Sequence, residues 1–302
     1  MLAMTNLWPS FQYGHVILGQ TDTESYRTIA QAAPGIPNEP LPYHHAQRFW
    51  VFWLIGVIAY NFGISADLLC RVVVFVLLLG TAWTLWHILQ LIDLAPRWQW
   101  VMAIAWACNP YCTRYFIALP WMTADLLFTF GFSITLLGIL QRKGATIACG
   151  LVVAAFGRQT ALALMVATWI VLVWRGRHKE LPVSHAAGII LASAAVIAIF
   201  WVGSLFANAT GATDENVEHL TGITVWLFSH EPEKLKRLIE FIARALVSQG
   251  PALVLLAVLL VNRARPLPIR FWMVTFLVLA VLPNQFWQVP TSRETILFVS
   301  VR

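Results

Sequence analysis

Long apolar runs alternate with short polar connections along this chain, and the length of each run predicts whether it crosses a membrane. A transmembrane helix needs about 20 apolar residues to span roughly 30 Å of hydrocarbon. The runs that meet this requirement are 71–92, 98–119, 123–141, 184–206, 241–262 and 271–288. The pattern predicts an all-α protein, with a polytopic transmembrane helical bundle over 49–302 and a polar segment over 1–48.

Two apolar stretches do not fit a single crossing helix. Residues 49–65 are short for a span, and the next span begins almost immediately. Residues 145–174 are too long, because one helix of that length would measure about 45 Å and would place Arg158 near the bilayer centre. Two half-length helices that meet at 157–160 remove both problems, so we predict a short helical hairpin there.

Basic residues near the ends of these segments predict their orientation, because Lys and Arg are enriched in cytoplasmic loops. Basic clusters flank the hairpin at 141–143 and 175–179, which places both of its ends on the cytoplasmic side. The acidic loop 207–240 and residues 1–48 are then external. This arrangement requires 49–65 to lie in the outer leaflet as a juxtamembrane helix that does not cross.

Composition supports a membrane protein and excludes several other classes. The 302 residues are 59% hydrophobic and 11% charged, and a soluble domain normally carries about twice that share of charged residues. The net charge of +6 comes from the loop clusters, so it does not indicate nucleic-acid binding. The four cysteines lie in or beside apolar segments and are interpreted as buried thiols. Residues 1–20 do not have the pattern of a signal peptide.

Four stretches, in this order, resemble the GT-C superfamily of integral-membrane glycosyltransferases, which includes the protein O-mannosyltransferases and the lipid A aminoarabinose transferases. The first, TDTESYRTIA at 21–30, resembles the first external loop, with its paired acids followed by Tyr. The others are 42–73, which runs into a span, 109–140, which resembles a mid-chain helix pair, and GLVVAAFGRQTALALM at 150–165. Residues 290–302 resemble a later loop of the family more weakly.

One feature departs from the family. GT-C members have a complete transmembrane helix before the acidic loop, and nothing in residues 1–20 can span a bilayer. The chain is therefore expected either to lack that helix or to be a shortened form of a longer protein. In either case, the 302 residues would lack a helix that active members of the family have.

The resemblance implies sugar transfer from a polyprenyl phosphate, which needs a base for the acceptor and positive charge for the departing phosphate. Asp22 and Glu24 are the candidate catalytic pair. In an extended backbone, residues i and i+2 point to the same side and could share one cavity. They could then hold Mg²⁺ or Mn²⁺, or act without a metal. The alternative is that they are ordinary acids of a solvated loop.

The candidate substrate-binding residues are Arg158, Arg48, Tyr26 and Arg293. A guanidinium can donate two hydrogen bonds to a phosphate, and an ionisable group at membrane depth indicates function. Arg158 could instead bond to backbone carbonyls at the hairpin tip, and Arg48 could reach toward lipid headgroups. Arg293 could close over the donor.

Three further polar features have simpler interpretations. His44 and His45 are interpreted as part of a polar loop, although a metal role is an alternative. Asp125 is interpreted as an acid in the first turn of a helix, where it favours the dipole. The Asn208–Thr210 glycosylation pattern is short and of low specificity.

These observations predict a multi-pass protein of the bacterial inner membrane. It would transfer a sugar from a polyprenyl-phosphate-linked donor to an unidentified acceptor on the non-cytoplasmic face, surrounded by membrane lipids. A lipid or solute transporter is one alternative, and it would need discontinuous helices in two corresponding halves. A non-catalytic subunit of an envelope-polysaccharide assembly system is another.

Overall fold

A computed structural model of the chain describes residues 22–92, 95–108, 113, 115–177 and 184–212. These residues form helices and short connections and contain no β-strand, which confirms the all-α class for this part of the chain. The predicted segments 241–262 and 271–288 lie outside the described residues, as does Arg293 in the 290–302 stretch.

The helices follow one another with few intervening residues. In chain order they are α1 (22–32), α2 (Tyr43–Ala46), α3 (Phe49–Phe62), α4 (Ala66–Leu91), α5 (Pro96–Cys108), α6 (Tyr115–Ala118), α7 (Thr123–Gln141), α8 (Gly144–Gly157), α9 (Ala161–Arg177) and α10 (Ser184–Ala209). A short 3₁₀ turn, Pro120–Met122, leads directly into α7.

Three helical segments are long and apolar enough to cross a membrane: Ala66–Leu91, Pro120–Gln141 and Ala186–Ala209. They correspond to the predicted runs 71–92, 123–141 and 184–206. The first begins five residues earlier than predicted, because Asp67 and Cys70 continue the helix instead of preceding it. Many large apolar side chains of α4 point outward, including Phe75 and Trp83, as expected for a surface that contacts lipid.

The two irregular stretches form shorter helices. α3 has 14 residues and measures about 21 Å, which is less than the thickness of the hydrocarbon core. The 145–174 stretch forms α8 and α9, and Arg158, Gln159 and Thr160 connect them. Within the predicted 98–119 run the structure describes α5, residue 113 and α6.

Small residues allow α7 and α8 to pack as close antiparallel neighbours. A Cβ atom at Gly131 would overlap the backbone of Ala154, and one at Gly138 would lie 2.6 Å from the nitrogen of Ile147. The same contact continues at Gly157, where a Cβ would overlap the carbonyl oxygen of Ala124. Close backbone approach through small residues is typical of helix pairs in membranes. It brings the end of α8 against the first turn of α7.

Many of the polar contacts between helices lie at one end of the bundle, which we call the polar end. It consists of the starts of α4 and α7, the end of α10, and the α8–α9 connection. Asp67 and Trp121 join the two helix starts, since the indole Nε1 donates to Oδ1 at 2.8 Å. Gln47 joins the end of α10 through a 2.9 Å hydrogen bond to Ser204. The segment from α1 to α3 packs onto this end.

Candidate functional site

Asp22 and Glu24 do not form the acid pair that the sequence predicted. Residues 22–32 are helical, so positions two apart are separated by about 200° around the axis and cannot share one cavity. Asp22, Ser25 and Tyr26 lie on the inward face of α1, whereas Glu24 is exposed. The extended backbone that a shared cavity would require is therefore not found at residues 22–24, and of the two acids only Asp22 faces the interior.

His45 is the contact of Asp22 across the α1–α2 junction. Its Nε2 atom lies 3.0 Å from Oδ1 of Asp22, and its Nδ1 atom lies 3.1 Å from the hydroxyl oxygen of Ser25. The ring is buried, and Tyr26 packs at a tilt beside it, with ring centroids 5.2 Å apart. The interpretation of His45 as a residue of a polar loop is therefore wrong.

The electrostatic surroundings keep Asp22 ionised. Burial alone would raise the pKa of Asp22, but the contact with His45 and the positive charge of Arg48 outweigh burial, so its pKa lies below the usual value. Burial lowers the pKa of His44 to about 3, helped by the neighbouring His45 and Arg48. At neutral pH, His44 is therefore a neutral imidazole and Asp22 is a carboxylate.

Arg48 lies at the centre of the polar end, between α2 and α3. Its Nε donates to Oε1 of Gln159 at 3.0 Å, and its Nη1 donates to the hydroxyl of Tyr26 at 3.3 Å. Burial opposes the charge of Arg48, but Tyr26, Asp125 and Asp22 favour it, and the pKa of Arg48 is raised. Burial likewise raises the pKa of Tyr26 to about 12, so the phenol remains protonated. Arg48 is thus a permanent buried cation.

The α8–α9 connection brings Arg158 to Asp125. Arg158 has an extended backbone, and its Nε lies 3.2 Å from Oδ1 of Asp125 in the first turn of α7. Nη1 of Arg48 lies 3.8 Å from the same carboxylate oxygen. The side chain of Asp125 is therefore flanked by two arginines, a role that its interpretation as a helix-terminus acid did not include.

Gln159 links the α8–α9 connection to the α2 segment through hydrogen bonds. Its Nε2 donates to Oε1 of Gln47 at 2.8 Å and to the carbonyl oxygen of His44 at 3.3 Å, while its Oε1 accepts from Arg48. Both ends of the amide are thus used, which fixes the orientation of the side chain. Because Gln159 is adjacent to Arg158, these bonds also hold Arg158 in place.

Several buried polar atoms of this region lack a hydrogen bond in the part of the chain that the structure describes. They are Oγ1 of Thr23, Nε2 of His45, Oδ1 of Asp125, Nε of Arg158 and Oγ1 of Thr160. The histidine and arginine atoms are close to carboxylates but not aligned for hydrogen bonding with them. Buried polar groups in native proteins normally have a hydrogen-bond partner, which can be protein, water or a ligand. All five belong to the start of α7, the α8–α9 connection, and helices α1 and α2 that pack onto the polar end.

A divalent metal at Asp22 and Glu24 does not fit this geometry, because the two carboxylates diverge around α1. Among the described residues there is no group of three or more His, Cys, Asp or Glu side chains that could hold a metal ion. The nearest donor to Asp22 is His45, whose Nε2 lies beside the carboxylate.

A second ion pair lies at the start of α4, outside this cluster. Nη2 of Arg27 is 3.0 Å from Oδ1 of Asp67, and the guanidinium carbon lies 5.5 Å from the centroid of the Trp121 ring. Both charged side chains are about half exposed. This pair provides a comparison for Asp125, because both acids occupy the first turn of a long apolar helix.

Among the residues that the structure describes, four of the predicted site residues lie together and Glu24 lies apart from them. Asp22, Tyr26, Arg48 and Arg158 are joined through a continuous set of contacts, which we call the polar cluster together with His45, Asp125 and Gln159. Glu24 lies outside the cluster, and Arg293 lies outside the described residues. Sequence reasoning missed the roles of His45, Asp125 and Gln159. One available signal was the seven-residue glycine spacing on both α7 and α8, which predicts a close antiparallel pair that brings Arg158 to Asp125.

Comparison of the chain with protein-family models, curated proteins and solved structures finds no match.

Proposed function

We propose that this chain is a membrane glycosyltransferase of GT-C type that transfers a sugar from a polyprenyl-phosphate donor to an acceptor on the non-cytoplasmic face. The observation that carries the proposal is the polar cluster itself. It combines a partly exposed carboxylate, two arginines and several unsatisfied buried polar atoms at one end of an apolar helical bundle. Unsatisfied groups of this kind are expected where a ligand binds.

Asp22 is the proposed general base. The side chain of Asp22 is 30% exposed, and its lowered pKa leaves it ionised and able to accept a proton at neutral pH. It would remove the proton of an acceptor hydroxyl as that oxygen attacks the anomeric carbon of the donor sugar. The bond between the anomeric carbon and the phosphate oxygen then breaks, and the bonding electrons remain on the phosphate.

Arg48 and Arg158 are the proposed phosphate contacts. Their side chains are 11% and 20% exposed, so their charges lie in a region of low dielectric where electrostatic stabilisation is stronger than in water. Tyr26 positions Arg48 through the hydroxyl contact and is not a direct ligand in this proposal. Because the geometry gives no metal site at Asp22 and Glu24, the proposal includes no metal step.

Transfer of radiolabelled sugar in isolated membranes tests the base. Asp22→Asn is expected to lower the transfer rate by about 10²- to 10⁴-fold, the usual contribution of a positioned base. Glu39→Gln, which removes an exposed acid from the α1–α2 connection, is the matched control and should keep the wild-type rate. A fully active Asp22→Asn protein would exclude Asp22 as the base.

Donor binding tests the arginines separately from the chemistry. Arg158→Met retains much of the side-chain length but removes the charge, and it should weaken binding of the polyprenyl-phosphate donor at least tenfold. An unchanged affinity would assign Arg158 to structure alone, through its contact with Asp125.

A non-catalytic subunit of an envelope-polysaccharide assembly system is a second candidate, and the internal ion pairs favour it. Asp22 contacts His45, and Asp125 contacts both arginines, so the cluster can be explained as a structural connection between α1, α2, α7 and the α8–α9 connection. Under this reading, variants of Asp22 would lower thermal stability, and the wild-type protein would transfer no sugar from any polyprenyl-phosphate donor.

A further inference from the structure

Asp125 occupies the position between the two arginines of the polar cluster. Its Oδ1 atom is 3.2 Å from Nε of Arg158 and 3.8 Å from Nη1 of Arg48. The close packing of Gly157 on Ala124 and Phe128 places Arg158 directly beside the first turn of α7. The carboxylate is therefore part of the local charge that any anion at Arg48 and Arg158 would meet.

We propose that Asp125 sets the charge specificity of the phosphate site, so that the site accepts the monoanionic phosphodiester of the donor and disfavours the dianionic phosphomonoester left after transfer. This inference rests on the proposed function, because it concerns the donor site of that reaction. The resemblance to the GT-C superfamily assigns no role to Asp125.

The reaction changes the charge of the lipid phosphate. A lipid phosphate linked to a sugar is a diester and carries one negative charge. Cleavage of the sugar–oxygen bond leaves a monoester, which has a second pKa of about 6 and therefore carries nearly two negative charges at neutral pH. Arg48 and Arg158 with the carboxylate of Asp125 leave one positive charge, and Asp22 reduces it further, so the site disfavours a dianion more than a monoanion.

The other charged and titratable groups of the polar cluster also favour a monoanion over a dianion. Asp22 lies on the α1 side of Arg48 and adds a second negative charge to the surroundings. His44 is held neutral, with a pKa of about 3, and Tyr26 stays protonated, with a pKa of about 12. His45 contacts Asp22 from α2. Among the described residues, Arg48 and Arg158 are the cations that flank Asp125.

The unsatisfied atoms show that the three side chains are not fully engaged with one another. Oδ1 of Asp125 and Nε of Arg158 are buried and close but lack the alignment of a hydrogen bond. A phosphate oxygen could therefore accept from Arg158 without the loss of an existing well-formed hydrogen bond. Asp125 would remain nearby and repel the additional charge of the product.

Direct binding to the purified full chain tests the inference without any need for sugar transfer. The probes are farnesyl phosphate and its methyl ester, which share the same prenyl tail and differ in charge at pH 8. The wild-type protein is expected to bind the methyl ester at least as tightly as the monoester. Because the electrostatic free energy scales with the charge of the ligand, Asp125→Asn should tighten binding of the monoester about tenfold and binding of the methyl ester only about threefold.

Two further variants make the comparison specific. Asp125→Glu keeps the charge and should keep the wild-type preference, which separates charge from folding effects. Asp67→Asn removes an acid from the first turn of α4, where it pairs with Arg27, and should change neither affinity. An equal change for both probes in Asp125→Asn, or weaker binding of both, would overturn the inference and leave the proposed donor site standing.

The remaining outcomes separate the inference from the proposed function. If the wild-type protein binds neither probe, both the donor site and the role of Asp125 fail. If the probes bind with the expected preference but membranes support no sugar transfer, the glycosyltransferase proposal fails and the charge-selective anion site stands.

Discussion

The Nε2 atom of His45 lies 3.0 Å from Oδ1 of Asp22, and this contact joins two helices that the sequence presents as a polar loop. The side chain of His45 is 4% exposed, whereas that of Asp22 is 30% exposed. The histidine thus supports the carboxylate from the protein interior, and the acid retains access from outside. Ser25 contacts the other ring nitrogen and fixes the orientation of the ring.

Replacement of His45 by leucine should change the pH dependence of sugar transfer. Burial raises the pKa of Asp22, but the contact with His45 and the positive charge of Arg48 lower it by more. Without His45, burial remains and the pKa of Asp22 rises. Because a base must be deprotonated, activity should then be lost at a higher pH on the acidic side. The pH profile of kcat/KM measures this shift.

The control for this prediction is His45→Gln, which retains a donor beside Asp22. It should restore part of the wild-type profile. A purely structural role of His45 would lower activity at all pH values without moving the acidic limb, and that result would contradict the prediction.

The helical form of residues 22–32 predicts different behaviour for the two acids. Glu24→Gln should keep transfer within about twofold of wild type, because Glu24 is exposed and an exposed substitution of this kind normally has a small effect. Initial rates in membranes measure the effect, with Asp22→Asn assayed in parallel. Equal and large losses for both variants would mean that the two acids act together.

The apolar part of the fold was predictable because helix length and membrane thickness constrain it. The 123–141 run has the same limits as α7, and the division of 145–174 follows from its excessive length and from Arg158. Both predictions depend only on the length and composition of the run itself. The residues that bring Arg158 to Asp125 depend on the packing of two helices, and the composition of either helix alone does not reveal that contact.

The polar cluster was harder to predict because non-local contacts decide its conformation. Residues 21–25 are mostly short polar side chains with weak helix propensity, so a loop was a reasonable expectation. Packing overrides this preference, since Tyr26 stacks on Phe52 with centroids 4.0 Å apart and Ile29 is fully buried. The burial of His45 follows from the same docking of α1, which its neighbouring sequence does not indicate.

Gln159→Leu should destabilise the polar end. The substitution removes the acceptor for Nε of Arg48 and the donor for Oε1 of Gln47, and buried groups left unsatisfied cost about 1–3 kcal/mol each. Thermal unfolding of the purified protein, followed by tryptophan fluorescence, should show a lower midpoint. Donor affinity should fall as well, because Gln159 holds both Arg48 and the neighbouring Arg158.

The comparison for Gln159 is Gln90→Leu, which makes the same chemical change at an exposed position near the other end of α4. This variant should unfold near the wild-type temperature and bind the donor normally. Equal midpoints for Gln159→Leu and Gln90→Leu would show that the hydrogen bonds of Gln159 contribute little to stability.

Gly131→Ala should weaken the contact between α7 and α8. The added methyl group would overlap the backbone of Ala154, and backbone cannot move aside as a flexible side chain can. Overpacking of this kind typically costs about 1–3 kcal/mol. Gly188→Ala is the matched control, since it lies in α10 with nothing within 4 Å of the added atom. It should be neutral, or slightly stabilising through helix propensity.

Thermal unfolding in one detergent measures both glycine variants. The two variants should also differ in donor binding, because the α7–α8 packing places Arg158 beside Asp125. Gly131→Ala should therefore also weaken donor binding, whereas Gly188→Ala should not. If Gly131→Ala lowers stability but leaves donor affinity unchanged, the position of Arg158 does not depend on the packing at Gly131.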